Sequence, residues 1–340
     1  MYQWIFKHFI SHTDPEQAHD VVMASLEAIS KLPPALATLQ AALPTGEPIA
    51  PHATFLPRPL RGRLGLAAGM DKNARAVAAF AALGFAFVEI GTVTPRPQPG
   101  NDKPRLWRLP QSREIRNRMG FNNDGAQVVA GRLRKLRSTK AGRQLVVGVN
   151  IGKNKVTPAD RARDDYFECA RQLAHYADFL VINVSSPNTV GLRDLQTVEA
   201  LGPIIEATRA GAAQAGDGRA KGVPIFVKIA PDLANEDIEA IAELVNDKNL
   251  AGVVATNTTN EHDLGEGGVS GPRLLARAVE VVGLLRGKLD PGRTIIAVGG
   301  ISTADDARQL LDAGADLLEA LTAFIYQGGA WPSRINRSIS

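Results

Sequence analysis

The sequence predicts an α/β fold, a (β/α)8 TIM barrel with a short helical N-terminal extension. Three observations predict it. Eight short apolar runs alternate with longer helical patterns, the runs end in glycine or polar residues that a parallel barrel gathers on one rim, and about the first forty residues are patterned differently from the rest.

In the N-terminal segment, residues 1–42, Trp4, Ile5, Phe6, Phe9 and Ile10 form one apolar cluster that stops before Asp14-Pro15, where a new helix is able to start. Val21, Val22, Leu26, Ile29 and Leu32 then recur at helical spacing, leaving Glu27 and Lys31 for the other face. Two short amphipathic helices are expected. Their apolar faces suit packing on the barrel, or contact with a membrane surface that also admits an apolar substrate. From Leu32 to Arg61 the prolines Pro33, Pro34, Pro44, Pro48, Pro51, Pro57 and Pro59 predict an ordered linker rather than more helix.

The barrel, residues 43–340, takes its strands near Leu64–Ala68, Phe87–Ile90, Leu145–Val149, Phe179–Val184, Ile225–Ile229, Gly252–Ala255, Thr294–Val298 and Leu317–Leu321. Their ends read Gly69 with Lys72, Gly91-Thr92, Asn150, Asn183 with Ser185 and Ser186, Lys228, Thr256-Asn257, Gly299-Gly300 and Thr322. Catalytic groups collect on such a rim because the strands are rigid and the following loops supply the chemistry. The polar gaps Arg209–Gly222 and Glu261–Ser270 read as mobile insertions.

A chain of 340 residues is long enough for one large barrel or two ordinary domains. Its 44% hydrophobic and 22% charged residues exclude a disordered or fibrous protein. A net charge of +4 is too small and too dispersed to indicate nucleic acid as a partner. The lone Cys169 makes no intrachain disulfide, and no signal peptide or run of roughly 18 apolar residues stands out, so a reducing cytoplasmic setting is expected.

Gly299-Gly300 leads into a helix expected to begin around Ser302, an arrangement that suits a phosphate because glycine lets backbone amides approach closely. Asn117, Asn122, Asn150, Asn183, Asn188 and Asn257 fall near strand ends or in loops. Single asparagines usually serve turns, but several converging amides satisfy a flat heterocycle bearing alternating N–H and C=O groups. Lys72 and Lys228 flank apolar strand residues and suit a carboxylate and a reduced, anionic cofactor. No metal site is expected, since the six histidines are scattered without chelating spacing. Ser186 precedes Pro187 rather than sitting in a G-x-S-x-G elbow, which disfavours a hydrolase triad, and no G-x-G-x-x-G opens a first βαβ unit.

The motifs A-A-G-M-D-K (Ala67–Lys72), E-I-G-T-V-T-P-R-P-Q-P-G-N (Glu89–Asn101), N-R-M-G-F-N-N (Asn117–Asn123), N-I-G-K-N-K (Asn150–Lys155), N-V-S-S-P-N-T (Asn183–Thr189), V-K-I-A-P-D (Val227–Asp232) and A-T-N-T-T (Ala255–Thr259) run in one order. Together they closely resemble the class 2 dihydroorotate dehydrogenases over nearly the whole chain. The resemblance implies an FMN-holding barrel that oxidises dihydroorotate to orotate in pyrimidine synthesis and passes the electrons to a membrane quinone. It also implies a protein peripheral to the inner face of the cell membrane, taken as a monomer.

Carried over by position, the resemblance makes Ser186 the general base for the C5 proton while a hydride leaves C6 for the flavin. It places Lys72, Asn117, Arg118, Met119, Gly120, Phe121, Asn122, Asn183, Asn188, Asn257 and Thr258 around the substrate. Ala68, Gly69, Thr92, Asn150, Asn183, Lys228, Thr256, Ser270, Gly271, Gly299, Gly300, Leu321 and Thr322 would hold FMN. His19 and Arg108 match the quinone site, at a tunnel mouth formed by the helical extension. A soluble class of the family uses a cysteine as base, but Cys169 lies in a helical pattern and reads as structural.

Three positions depart from the family pattern. Ser270-Gly271-Pro272-Arg273-Leu274 exchanges proline and arginine, Leu321-Thr322-Ala323 stands for Tyr-Ser-Gly, and Thr189-Val190-Gly191 stands for Thr-Pro-Gly. The first two touch the phosphate end of the implied flavin, and Ala323 is expected to carry strain if its position needs a positive φ. The alternatives are a phosphate-ligand-binding barrel with impaired FMN binding, and a soluble flavin dehydrogenase with another acceptor. A colourless protein would mark the first, and absence of the N-terminal helices the second.

Overall fold

Alternation along each strand sets the two faces of the barrel. A computed structural model describes residues 2–44, 56, 59–189, 191–216 and 222–339. The strands are β1 (Leu64–Leu66), β2 (Val88–Val93), β3 (Leu106–Leu109), β4 (Glu114–Asn117), β5 (Val147–Ile151), β6 (Phe179–Asn183), β7 (Ile225–Ile229), β8 (Gly252–Ala255), β9 (Gly268–Ser270), β10 (Thr294–Val298) and β11 (Leu317–Ala320). Eight of them close a parallel barrel in the order β1-β2-β5-β6-β7-β8-β10-β11. These are the eight expected strands, almost wholly buried because helices cover the outside.

On the outer face, Leu180, Ile182, Val227, Ile229 and Val253 join the core shared with the helices. The helix Asn235–Asp247 shows the matching stripe, burying Ile238, Ile241, Ala242 and Val245. On the inner face, Phe87, Val146, Phe179, Val181, Phe226, Val254, Ile296 and Leu317 form a separate apolar cluster. Phe179 stacks edge-on with Phe87 and Phe226 at centroid distances of 6.1 and 5.5 Å. Gly65 and Gly148 make room for these rings, since a Cβ on either would lie 2.5 Å from Phe87 or 2.2 Å from Phe179. One end of the barrel is thus filled with aromatic side chains. Further along the strands the inward positions turn polar: Glu89, Asn150, Asn183, Lys228, Thr256 and Glu319, with Ala67 and Val298 the apolar exceptions.

Beyond the barrel, β3, β4 and β9 form a small antiparallel sheet in the order β3-β4-β9, which the sequence reading lacked. Part of the expected insertion Glu261–Ser270 is therefore the strand β9. The other expected insertion begins as helix, because Val198–Gln214 runs through Arg209; residues 217–221 lie outside the described residues.

The N-terminal extension holds three helices rather than two: α1 (Tyr2–His8), α2 (Pro15–Ser30) and α3 (Pro33–Ala42). The third occupies the start of the expected linker. Pro33 and Pro34 sit in its first turn, where an N–H has no helical partner to lose. The expected Pro48, Pro51 and Pro57 stretch lies outside the described residues. Asp14 caps α2, accepting from the N–H groups of Glu16 and Gln17. The apolar stripe of α2 is split. Met23 and Leu26 are buried on the barrel with Ile29 packed beside them, whereas Val21, Val22 and Leu32 face outward. Glu27, expected on the open face, instead pairs with Arg75 of the barrel at 2.6 Å. Among the described residues no helix is long and apolar enough to cross a membrane.

Candidate active site

The polar inward layer forms the floor of a cavity at the open end of the barrel. Lys228 Nζ lies 3.1 Å from Glu89 Oε1 and 3.6 Å from Glu319 Oε2, with all three side chains almost fully buried. Burial opposes the ammonium charge, but the two carboxylates outweigh it and raise the Lys228 pKa. Burial, and then the charge of Glu89, push Glu319 well above the usual carboxylate range. Asn150 Nδ2 donates to Glu89 Oε1 at 2.8 Å, while Asn150 Oδ1 accepts from Thr92 Oγ1 at 2.6 Å and from Asn183 Nδ2 at 3.0 Å. Asn150 therefore stands behind the wall and fixes Thr92 and Asn183, which line the cavity.

Ser186 follows β6 in a loop and is buried; its Oγ accepts from the Asn188 N–H at 3.3 Å. Asn188 Nδ2 donates to Asn117 Oδ1 at 3.1 Å, tying this loop to β4. Asn257 Nδ2 donates to Ser185 Oγ at 2.8 Å, and Ser185 in turn donates to Asn183 Oδ1. Arg193 anchors both loops, donating to the carbonyls of Ser185 and Thr258 while paired with Asp232 at 2.6 Å. Two polar atoms on the cavity wall, Asn188 Oδ1 and Thr258 Oγ1, are buried without a hydrogen-bond partner among the described residues. Groups in that condition call for a polar ligand.

Lys72, in the loop after β1, reaches the same cavity; burial lowers its pKa to about 8, with the charge of Glu16 acting against. Asn117, Met119, Gly120, Phe121, Asn183, Ser186, Asn188, Asn257 and Thr258 also line it. Asn122 does not. Arg118 points outward, pairing with Glu266 and lying over the Trp107 ring, because adjacent residues of an extended segment face opposite ways.

At the opposite wall stand Ala68, Gly69, Thr256, Ser270, Gly271, Gly299, Gly300, Leu321 and Thr322. Gly300 has a φ of +81°, and a Cβ there would lie 2.4 Å from the Leu275 backbone nitrogen, so only glycine fits. Ser270 and Thr322 join hydroxyls at 2.8 Å. The helix after Gly300 runs Ala304–Asp312, a little later than expected, because Thr303 and Asp306 form a capping box. Ala323 sits in the helix Thr322–Gln327 and is not among the residues of positive φ, so the expected strain is absent. Arg273 turns away from the cavity onto Glu114, and Pro272 opens a short 3₁₀ turn.

A neck leads from this cavity towards the N-terminal helices, lined by Glu16 and His19 of α2 with Leu106, Ile115 and Ile325. His19 Nε2 lies 2.9 Å from the Met70 carbonyl, and burial and Lys72 lower its pKa. Glu16 Oε1 accepts from Arg105 Nη2 at 2.7 Å, fastening α2 to the barrel loops. Arg108 does not line the neck. It donates to the carbonyls of Ile10 and Thr13 and so holds the turn between α1 and α2. Cys169 is buried in the helix Ala162–Leu173, its thiol donating to the Val93 carbonyl at 3.5 Å, and does not line the cavity.

Residues 52–340 match the family model described as dihydroorotate dehydrogenase. The chain belongs to the dihydroorotate dehydrogenase family. A relative from Thermobifida fusca, named dihydroorotate dehydrogenase (quinone), is 48% identical over 100% of this chain and 92% of its own length. One of the same name from Nocardioides sp. is 49% identical over 100% of this chain and 97% of its own. The crystal structure of the dihydroorotate dehydrogenase of Eimeria tenella in complex with ferulenol superposes with a TM-score of 0.85 at 37% identity, covering 97% of this chain and 91% of that one.

Sequence reasoning about a dihydroorotate dehydrogenase site missed Glu89, Glu319 and Glu16. The signal for the first two was present: each is a lone acid inside an apolar strand, F-V-E-I and L-L-E-A.

Proposed function

We propose that this chain is a quinone-dependent dihydroorotate dehydrogenase that holds FMN in the open end of the barrel and serves pyrimidine synthesis. The observation that carries it is one cavity combining a buried serine, unpartnered amide and hydroxyl oxygens, a lysine held charged and a lining that extends to Glu16 and His19 of the N-terminal helices beside Leu106, Ile115 and Ile325.

The residues present fit FMN. Gly299 and Gly300, with the amide and hydroxyl of Thr322 and the hydroxyl of Ser270, suit its phosphate, and Thr92, Asn183, Lys228 and Thr256 suit its ring. When bound, FMN accepts the hydride from dihydroorotate C6 and passes the electrons on to quinone. Asn117, Asn183, Asn188 and Asn257 bind the substrate ring, and Lys72 faces its carboxylate. Ser186 takes the C5 proton. A free hydroxyl is a weak base, so Ser186 would have to pass its own proton on through a relay as it takes the C5 proton, in a buried site that excludes water and acidifies the C5–H. Lys228, held protonated beside Glu89, would set its ammonium charge against the negative charge of a reduced flavin.

Residues 1–42 form the roof through which quinone reaches the neck, and 43–340 the catalytic barrel. Trp4, Ile5, Phe9, Val21, Val22 and Leu32 expose large apolar side chains on this roof, which supports a peripheral position on the inner face of the membrane. A monomer satisfies this arrangement. The test is an anaerobic visible spectrum: dihydroorotate should bleach the bound flavin and a quinone should restore its colour. A yellow protein that dihydroorotate fails to bleach would overturn the reading.

A further inference from the structure

The floor of the cavity holds one acid more than its lysine needs. Lys228 and Glu89 form a close pair at 3.1 Å, whose charges cancel. Glu319 stands 3.6 Å from the same ammonium, too far for a hydrogen bond, and neither of its oxygens has a hydrogen-bond partner among the described residues. It is wholly buried and lines the cavity. A carboxylate in that position loses its hydration and gains only a longer contact with an ammonium already paired with Glu89, which favours the protonated acid. The charged groups facing it are Glu89 on β2 and Lys228 on β7. Ala67, Asn150, Asn183, Thr256 and Val298, the other residues of this inward layer, do not titrate.

On the reading that FMN occupies this cavity, we propose that Glu319 is a positioning residue for electron transfer, carrying a proton whose hold tightens when the flavin is reduced. The hydride brings two electrons and one proton's worth of hydrogen to the ring system, leaving it one negative charge richer, while the substrate's C5 proton goes to Ser186. That added charge penalises ionised Glu319 further. Where Glu319 of the oxidised protein is ionised, reduction draws one extra proton from solvent onto its carboxyl, so the change becomes two electrons with two protons instead of two electrons with one. Reciprocally, the proton on Glu319 favours the reduced flavin and keeps the charge of Lys228 from being cancelled twice over. The elevated proton affinity of Glu319 agrees with this arrangement.

The experiment is a flavin redox titration across the pH range in which the holoprotein is stable, on wild type and Glu319→Gln. In an alkaline window the wild-type potential should fall with pH twice as steeply as that of Glu319→Gln, the two curves meeting at lower pH. A separation of about 60 mV would correspond to roughly a hundredfold in the two-electron equilibrium. Parallel curves, whether coincident or offset, would overturn the proposal. Should the variant lose flavin, reduced-minus-oxidised infrared spectra of wild type decide instead: a protonated-carboxyl band that grows on reduction and shifts in D₂O supports it, and an unchanged band sinks it. A protein that stays colourless after incubation with FMN defeats the cofactor reading and this proposal together, whereas a yellow protein with parallel curves defeats this proposal alone.

Discussion

Glu16 of α2 and Arg105 of the barrel meet at 2.7 Å, both almost fully buried, and this pair fastens the N-terminal extension over the mouth of the cavity. Arg105 also donates to the carbonyls of Pro99 and Asn101, so it ties the loop after β2 to the N-terminal extension. Glu16→Gln should leave the guanidinium without its countercharge and cost about 1–3 kcal/mol, seen as a lower thermal midpoint. Quinone turnover should fall more than dihydroorotate-driven bleaching, because the roof loosens while the floor is untouched. Equal losses in both half-reactions would show that the pair serves general stability.

Ser186→Ala should keep the flavin bound, because Ser186 contributes to none of the contacts among Lys228, Asn150 and Thr92. Flavin reduction by dihydroorotate should slow by about a hundredfold or more, the usual scale for losing a general base. Stopped-flow bleaching measures it, and a wild-type rate would remove Ser186 from the reaction.

Lys72 gives the substrate side a pH dependence of definite sign. In the ligand-free protein its pKa is lowered to about 8 by burial, so its positive charge is present below that pH and lost above it. Orotate affinity should therefore weaken as pH rises through about 8, by up to tenfold per unit, until binding no longer draws a proton. Lys72→Met should bind weakly with a flat profile. Equilibrium titration by flavin absorbance checks this, and a flat wild-type profile would contradict it.

Ala323→Gly should bring no gain in FMN affinity, because Ala323 already occupies an ordinary helical position. Glycine there should instead cost about 0.5–1 kcal/mol through its greater backbone freedom in the unfolded chain. Apoprotein titrated with FMN, together with a melting curve, tests both halves; a variant that binds FMN more tightly would revive the strain.

Trp4→Ser with Phe9→Ser should weaken attachment to phospholipid vesicles by tenfold or more, since each exposed ring carries roughly 1.5–3 kcal/mol of apolar burial. Flavin bleaching by dihydroorotate should be unaltered. Cosedimentation with vesicles is the readout, and undiminished binding would place the membrane contact elsewhere.

The barrel was legible in the sequence because strands buried on both faces must be apolar throughout, and such runs stand out between polar loops. The rim was legible for the same reason in reverse: Asn183, Lys228 and Thr256 are polar where an apolar run stops. The sheet β3-β4-β9 was not, since L-W-R-L, E-I-R-N and G-V-S are too short and too mixed to show a period. Helix α3 was hidden by Pro33-Pro34, which read as a break although the first turn of a helix tolerates both. Side-chain direction was the other loss. Within N-R-M-G-F-N-N, Asn117 and Phe121 face the cavity while Arg118 turns outward and Asn122 stays off the wall, and only the backbone path of the loop decides which. Arg108, matched by position to the quinone site, donates to the carbonyls of Ile10 and Thr13, a contact that no pattern in the sequence announces.

The interlocked rings of Phe87, Phe179 and Phe226, seated against Gly65 and Gly148, make the barrel a vessel with a single open end. Among the described residues the other end is filled by the packed apolar side chains of this cluster. On the proposed function, an electron donor and an electron acceptor that never need to meet would share that open end, and keeping them apart would fall to whatever divides it. On the proposed function the small sheet, with α2 packed beside β3, would be that divider, and the N-terminal helices would then keep a greasy reactant apart from a polar one as well as anchor the molecule.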